Sequence, residues 1–234
     1  MKRLMISLLF MSGYSVGMEL DTTLFDQGFC PWQDLVSSNY NENANEHTTK
    51  LFELCRGSMV LIDTRGNYIP YAQSQGALAR YMEHLCFYGA DINSKDVCGK
   101  TPLHIVAENG FDELAEVLVK QGAFLKVKDR SGETPLHVAL RCRKNFIVSL
   151  LLDNDKQLVY EKDNNGNTPL HVAVQHNVSP ILVKDLLESG AMFMILHMNN
   201  FGQDVTNIAE TTNNTTLYQL LLDCILANPS LLSE

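Results

Sequence analysis

Three histidines recur at one place in a repeated peptide. His104 stands in TPLHIVA (101–107), His137 in TPLHVA (134–139) and His171 in TPLHVA (168–173). Histidine at fixed spacing suggests a metal site or a set of general bases. A shared ion, however, needs its ligands to converge near 2 Å. Groups carried on successive packed helices lie about 10 Å apart. A structural role is therefore expected for all three. His171 and His176 read H-x4-H, which is not the spacing of a helical zinc pair. His176 instead falls on the outward side of its helix and is expected to serve a binding surface.

The six cysteines, Cys30, Cys55, Cys86, Cys98, Cys142 and Cys224, include no C-x-x-C pair, so a thioredoxin-type motif or a zinc ribbon lacks support. They read as scattered small hydrophobes, although an oxidising compartment would permit a bridge such as Cys30–Cys55. Cys30, in GFCPWQDL, raises one catalytic possibility, an N-terminal cysteine enzyme that uses the rest of the chain to recruit substrate. It needs a base within about 3 Å of the sulfur. The upstream histidine, His47, lies in the polar run NYNENANEHTT, which reads as loop. About thirty residues are too few for an independent catalytic core. The expectation is no enzyme, no cofactor and no metal.

The elements that carry these residues follow from a period. Thr101, Thr134 and Thr168 are 33 and 34 residues apart. Within each unit, Pro after Thr fits the first turn of a helix, where a missing N–H costs nothing, and Thr suits the cap. Leu103, Val106 and Ala107 then recur at helical spacing, and Leu114, Val117 and Leu118 make a second amphipathic helix. Gly122 ends that helix. Asp129-Arg130-Ser131-Gly132 is turn chemistry. Each unit is helix, turn, helix and β-turn finger, and it cannot bury its apolar face alone, so neighbours must stack. A weaker copy precedes, with Gly89-Ala90-Asp91, Asp96 and Gly99 in register, and another opens at Asp204.

These residues resemble the ankyrin repeat family, over about residues 50–226. The resemblance implies an all-α repeat solenoid of about four to five stacked helix–turn–helix repeats with a capping helix. The expected divisions are a signal peptide at 1–17, an N-terminal extension at 18–49 and a capping half repeat at 50–67. Repeats follow at 68–100, 101–133, 134–167 and 168–203, then a degenerate C-terminal cap at 204–234. Departures from the pattern fall at Asp155-Lys156, where Gly-Ala is expected, and in the long finger AMFMILHMNN. The apolar run Met192 to Met198 is expected to pack against the last repeat.

The resemblance also implies a concave face, built of first helices and finger tips, that binds other proteins. Carried onto this sequence, its variable positions are Lys100, Arg130, Glu133, Asn164, Asn165, Asn167 and Phe201 at the fingers. On the first helices they are Glu108, Asn109, Arg141, Gln175 and His176. The function expected is a non-catalytic scaffold, a monomer, binding one protein partner through this mixed surface. A net charge of −9 disfavours nucleic acid and anionic membranes as partners. Asn177, Asn213 and Asn214 open N-glycosylation sequons, expected to be coincidental in an Asn-rich chain.

Lys2 and Arg3, the apolar run Leu4 to Met11 and the small residues Ser15-Val16-Gly17 have the order of a secretory leader cleaved after Gly17. Export to the periplasm or beyond is the expectation, with a cytoplasmic location as its alternative. No other apolar run approaches the roughly 20 residues of a membrane-spanning helix, so no span is expected in the mature chain.

Overall fold

The structure, a computed structural model, describes residues 9–11, 15–19, 44–57, 59–62, 68–69, 71–212 and 214–228. The chain divides into two compact units, residues 1–94 with 113–123, and residues 95–112 with 124–234.

In the first unit, four short strands form one sheet in the order β1-β2-β3-β4. They are β1 (Leu9–Met11), β2 (Ser15–Glu19), β3 (Met59–Ile62) and β4 (Tyr68–Ile69). β1 pairs antiparallel with β2, β2 runs parallel to β3 from Val16↔Met59 to Glu19↔Ile62, and β3 pairs antiparallel with β4. Helix α1 (Ala44–Cys55) packs on α2 (Tyr71–Phe87). Leu51, Leu54, Cys55, Leu78, Met82 and Leu85 are buried in these two helices.

This arrangement departs from the sequence reading in three ways. His47 lies in α1, not in a loop, because AxxHTTxLFxLC presents its apolar residues at helical spacing only after the polar run has begun. Residues 68–100 contain one helix of 17 residues rather than a helix pair. A strand at 59–62 interrupts the expected half repeat at 50–67.

The second unit carries the repeats. First helices α3 (Pro102–Asn109), α5 (Pro135–Arg141), α7 (Pro169–Gln175) and α9 (Val205–Thr211) stack in sequence order. Second helices are α4 (Asp112–Lys120, mostly of the first unit), α6 (Asn145–Asn154), α8 (Pro180–Glu188) and α10 (Thr215–Ala227). Proline stands at the start of α3, α5 and α7, each behind an extended Thr, as its missing donor allows. Every residue from Pro102 to Ala107, Pro135 to Leu140 and Pro169 to Val174 is buried, so these helices are enclosed on all sides by neighbours. That is the burial a lone unit lacks. The repeat region is an all-α solenoid.

The atypical stretches have local explanations. At Asp155-Lys156 the chain makes a 3₁₀ turn, Lys156–Tyr160, capped by the Asp155 side chain accepting from Gln157 N–H. In the long finger, Ile195 is buried while Phe193, Leu196 and Met198 are exposed, so only part of that run packs as expected. α9 lacks TPLH, yet Asp204 Oδ1 accepts from Asn207 N–H at 2.8 Å and Asn207 Oδ1 accepts from Asp204 N–H at 3.2 Å. An acid and an amide thus replace the hydroxyl and imidazole in the same capping geometry.

Candidate functional site

Two of the three repeated histidines, His104 and His137, bond one repeat to the next. In α3, His104 Nδ1 accepts from Thr101 N–H at 3.1 Å and from the Thr101 hydroxyl at 2.8 Å. With Nδ1 an acceptor, Nε2–H donates to the Glu133 carbonyl of the next unit at 3.0 Å. His137 repeats this with Thr134 (3.3 and 2.8 Å) and the Asn167 carbonyl (3.3 Å). His171 keeps the contacts to Thr168, but its buried Nε2 makes no hydrogen bond of ordinary length. The Gln203 and His197 carbonyls are the backbone groups acting on it, across a longer finger. Burial pushes all three imidazoles below their usual range, His137 to about 4, against the partial opposition of these carbonyls. They are neutral at pH 7 and engaged inside the stack.

Each finger is built around one side-chain oxygen, a carboxylate in three and an amide in the fourth. Asp96 Oδ1 accepts from Cys98 and Lys100 N–H, Asp129 Oδ1 from Ser131 and Glu133 N–H, and Asp163 Oδ1 from Asn165 and Asn167 N–H. Asn199 Oδ1 does the same for Phe201 and Gln203. Neighbouring tips are joined by backbone bonds, Arg130 N–H to the Cys98 carbonyl, Asn164 to Ser131 and Asn200 to Asn165, at 2.9–3.1 Å. Gly132 sits at the crowded point of such a tip, with φ +77° and Asn164 N 2.6 Å from where a Cβ would stand.

The sequence-predicted surface residues then separate by what they touch. Lys100 Nζ donates to Glu108 Oε2 at 2.6 Å, and Arg141 Nε and Nη2 donate to the two oxygens of Glu133 at 3.2 Å. Each pair joins a finger to the first helix that follows it. Partial desolvation acts against the charge of Lys100 and Arg141, but their carboxylate partners outweigh it and hold both above their usual values. These four side chains are engaged with each other and are less open to a partner than expected. Asn167 departs furthest from the expectation. It is 8% exposed, donates to Asp163 Oδ2 and accepts from Asn199 Nδ2. Asn164 is exposed, but its Nδ2 is tied to the Arg130 carbonyl. Asn109, Arg130, Asn165, Gln175 and Phe201 are exposed, and His176 is half-buried.

Six of the predicted residues converge on a groove of about 380 Å³: Glu133, Asn165, Asn167, Gln175, His176 and Phe201. Asp163, Asn199, Thr211 and Thr212 also line it, and the sequence reading missed them. The Asp and Asn recur with the period at the head of each finger and could have been found there. The threonines lie in the repeat without TPLH, where no motif marked them. Burial lowers the His176 imidazole pKa first, and the Arg141 and Arg143 guanidiniums lower it further. Cys30 lies outside the described residues. Cys98, Cys142 and Cys224 are free thiols, and burial raises Cys55 far above, and Cys86 to about 11, the usual thiol value.

No curated protein matches the chain. The family model for ankyrin repeats (3 copies) matches residues 71–161, and that for a single ankyrin repeat matches 165–196. The two together cover just over half of the sequence and include the Thr–His caps at Thr101, Thr134 and Thr168 and the fingers headed by Asp96 and Asp129. Such repeats form a module for protein–protein interaction, and this chain belongs to the ankyrin repeat family.

Proposed function

We propose that the protein is a non-catalytic scaffold that binds a protein partner on the concave face of its repeats, through the finger tips and the open ends of the first helices. One observation carries this reading: the repeat-specifying residues are engaged in internal bonds, whereas Arg130, Asn165, Gln175 and Phe201 project from those positions and remain exposed. A repeated, internally bonded frame with exposed side chains at its tips fits recognition rather than turnover. The test is affinity capture with the intact chain and with an Arg130→Glu/Phe201→Ala double variant, both checked for native helix content. A partner retained by the first and lost by the second is expected. Equal capture by both would overturn the reading.

Export is the location proposed with it, resting on the basic, apolar and small-residue order of positions 2–17. A cut after Gly17 would remove β1 and the first three residues of β2. The mature N-terminus, measured by intact mass, is expected at Met18, and a chain beginning at Met1 in the exporting cell refutes it.

A further inference from the structure

We infer that the groove between the fingers headed by Asp163 and Asn199 receives a basic side chain, arginine above all, from an extended segment of the partner. The inference rests on the scaffold reading above and adds the chemistry of the occupant.

The groove's polar lining is rich in acceptors and holds no lysine or arginine. Glu133 and Asp163 contribute two carboxylates. Glu133 accepts two hydrogen bonds, both from Arg141, and Asp163 accepts three, so both keep acceptor capacity, since a carboxylate offers about four lone-pair sites. Gln175, Asn165, Gln203 and Thr211 add amides and a hydroxyl, groups able to accept as well as donate. A guanidinium presents five donors and no acceptor, which matches such a wall.

Phe201 also lines the groove, 70% exposed, with its backbone N–H donating to Asn199 Oδ1. An arginine stacks on an aromatic face as it enters, and a lysine gains less there. The competing occupants fit worse. Val172 and Ile208, the apolar lining residues besides Phe201, are nearly fully buried and offer little surface to a hydrophobic anchor. An acidic side chain would face the Asp163 carboxylate, with the Glu133 carboxylate already paired to Arg141. The chain's charge of −9 favours a basic partner at longer range as well.

The test uses a random 12-residue peptide library panned on the intact protein, followed by one enriched peptide and its Arg/Lys→Gln analogue. Gln175 is exposed and lines the groove, so charge can be placed there without touching the core. Enrichment of Arg and Lys over Asp and Glu is expected. The affinity order is expected to be Gln175→Glu tighter than the native protein, with Gln175→Lys and Phe201→Ala weaker, by roughly tenfold each way for the charges at low salt. The Gln analogue is expected to bind as weakly as an unrelated peptide. If both charge variants and Phe201→Ala weaken binding equally, or if enriched peptides are acidic or apolar, the basic occupant is wrong while the binding face stands. Binders indifferent to all three variants, or no binders, overturn the inference as well.

Discussion

Replacing His137 by alanine puts the stacking logic to its strictest test. The side chain is fully buried. Its removal leaves Thr134 N–H, the Thr134 hydroxyl and the Asn167 carbonyl without their present partner, all in residues that are themselves buried. A buried polar group stranded in this way costs about 1–3 kcal/mol, and the vacated ring adds a cavity cost. A total near 3–5 kcal/mol is expected, a large share of the roughly 5–15 kcal/mol that holds a typical domain together. His171→Ala is expected to cost about 1 kcal/mol less, because its Nε2 leaves no directly bonded carbonyl behind. Urea unfolding followed by far-ultraviolet circular dichroism at pH 7 reads both. A His137→Ala protein within about 1 kcal/mol of native, or a His171→Ala protein the less stable of the two, refutes the account of these rings as inter-repeat ties.

The pH dependence of the native protein follows from the same rings. With the folded His137 value lowered from 6.5 to about 4, the unfolded chain binds the extra proton between these limits. Its stability contribution is complete above pH 6.5 and is lost as pH falls through about 4, with His104 and His171 acting in the same direction. Urea midpoints are expected to drop on going from pH 7 to 4.5, and a rise would contradict neutral burial. Gly132→Ala is expected to destabilise by more than Gly122→Ala. Both residues have positive φ, but the first new methyl meets Asn164 backbone nitrogen and Oδ1, whereas the second meets open space. Thermal melts of the two variants should differ by about 1 kcal/mol or more. A double-mutant cycle on Glu133 and Arg141, whose side chains are largely screened from water, is expected to give a coupling near 1 kcal/mol. A coupling of zero would return both residues to the partner surface. A thiol reagent should label exposed Cys98 in the native protein and buried Cys55 only on unfolding, as mass mapping would show.

The repeats were legible because each unit writes its own boundaries. TPLH starts a helix, Gly-Ala ends the pair and Asp-x-x-Gly folds the finger, all within a few residues. What escaped reading depends on partners distant in sequence. β2 and β3 lie about 40 residues apart and pair in parallel, so no hairpin turn marks them in the sequence. α1 opens in an Asn-rich run whose composition reads as loop, and its apolar face is explained only by packing on α2. Asn165 and Asn167 look alike in sequence, yet one is exposed and the other is locked between Asp163 and Asn199. Lys100–Glu108 and Glu133–Arg141 are eight residues apart, a spacing that belongs to no single helix and appears only when finger and helix are placed together. Hence the groove's location could be inferred, but the division of its walls between bonded and open side chains could not.

The rungs that join successive fingers use main-chain atoms: Cys98 to Arg130, Ser131 to Asn164, Asn165 to Asn200. Main-chain bonds are indifferent to which side chain each residue carries. Substitution of the Arg130 or Asn165 side chain therefore alters what is recognised without loosening the frame, whereas Gly132 and the cross-bonded amides of Asn164 and Asn200 belong to the frame itself. Insertions are the opposite case: the extra residues between Gly190 and Asn199 already stretch one tie, at His171, and a further one in any finger would offset every rung beyond it.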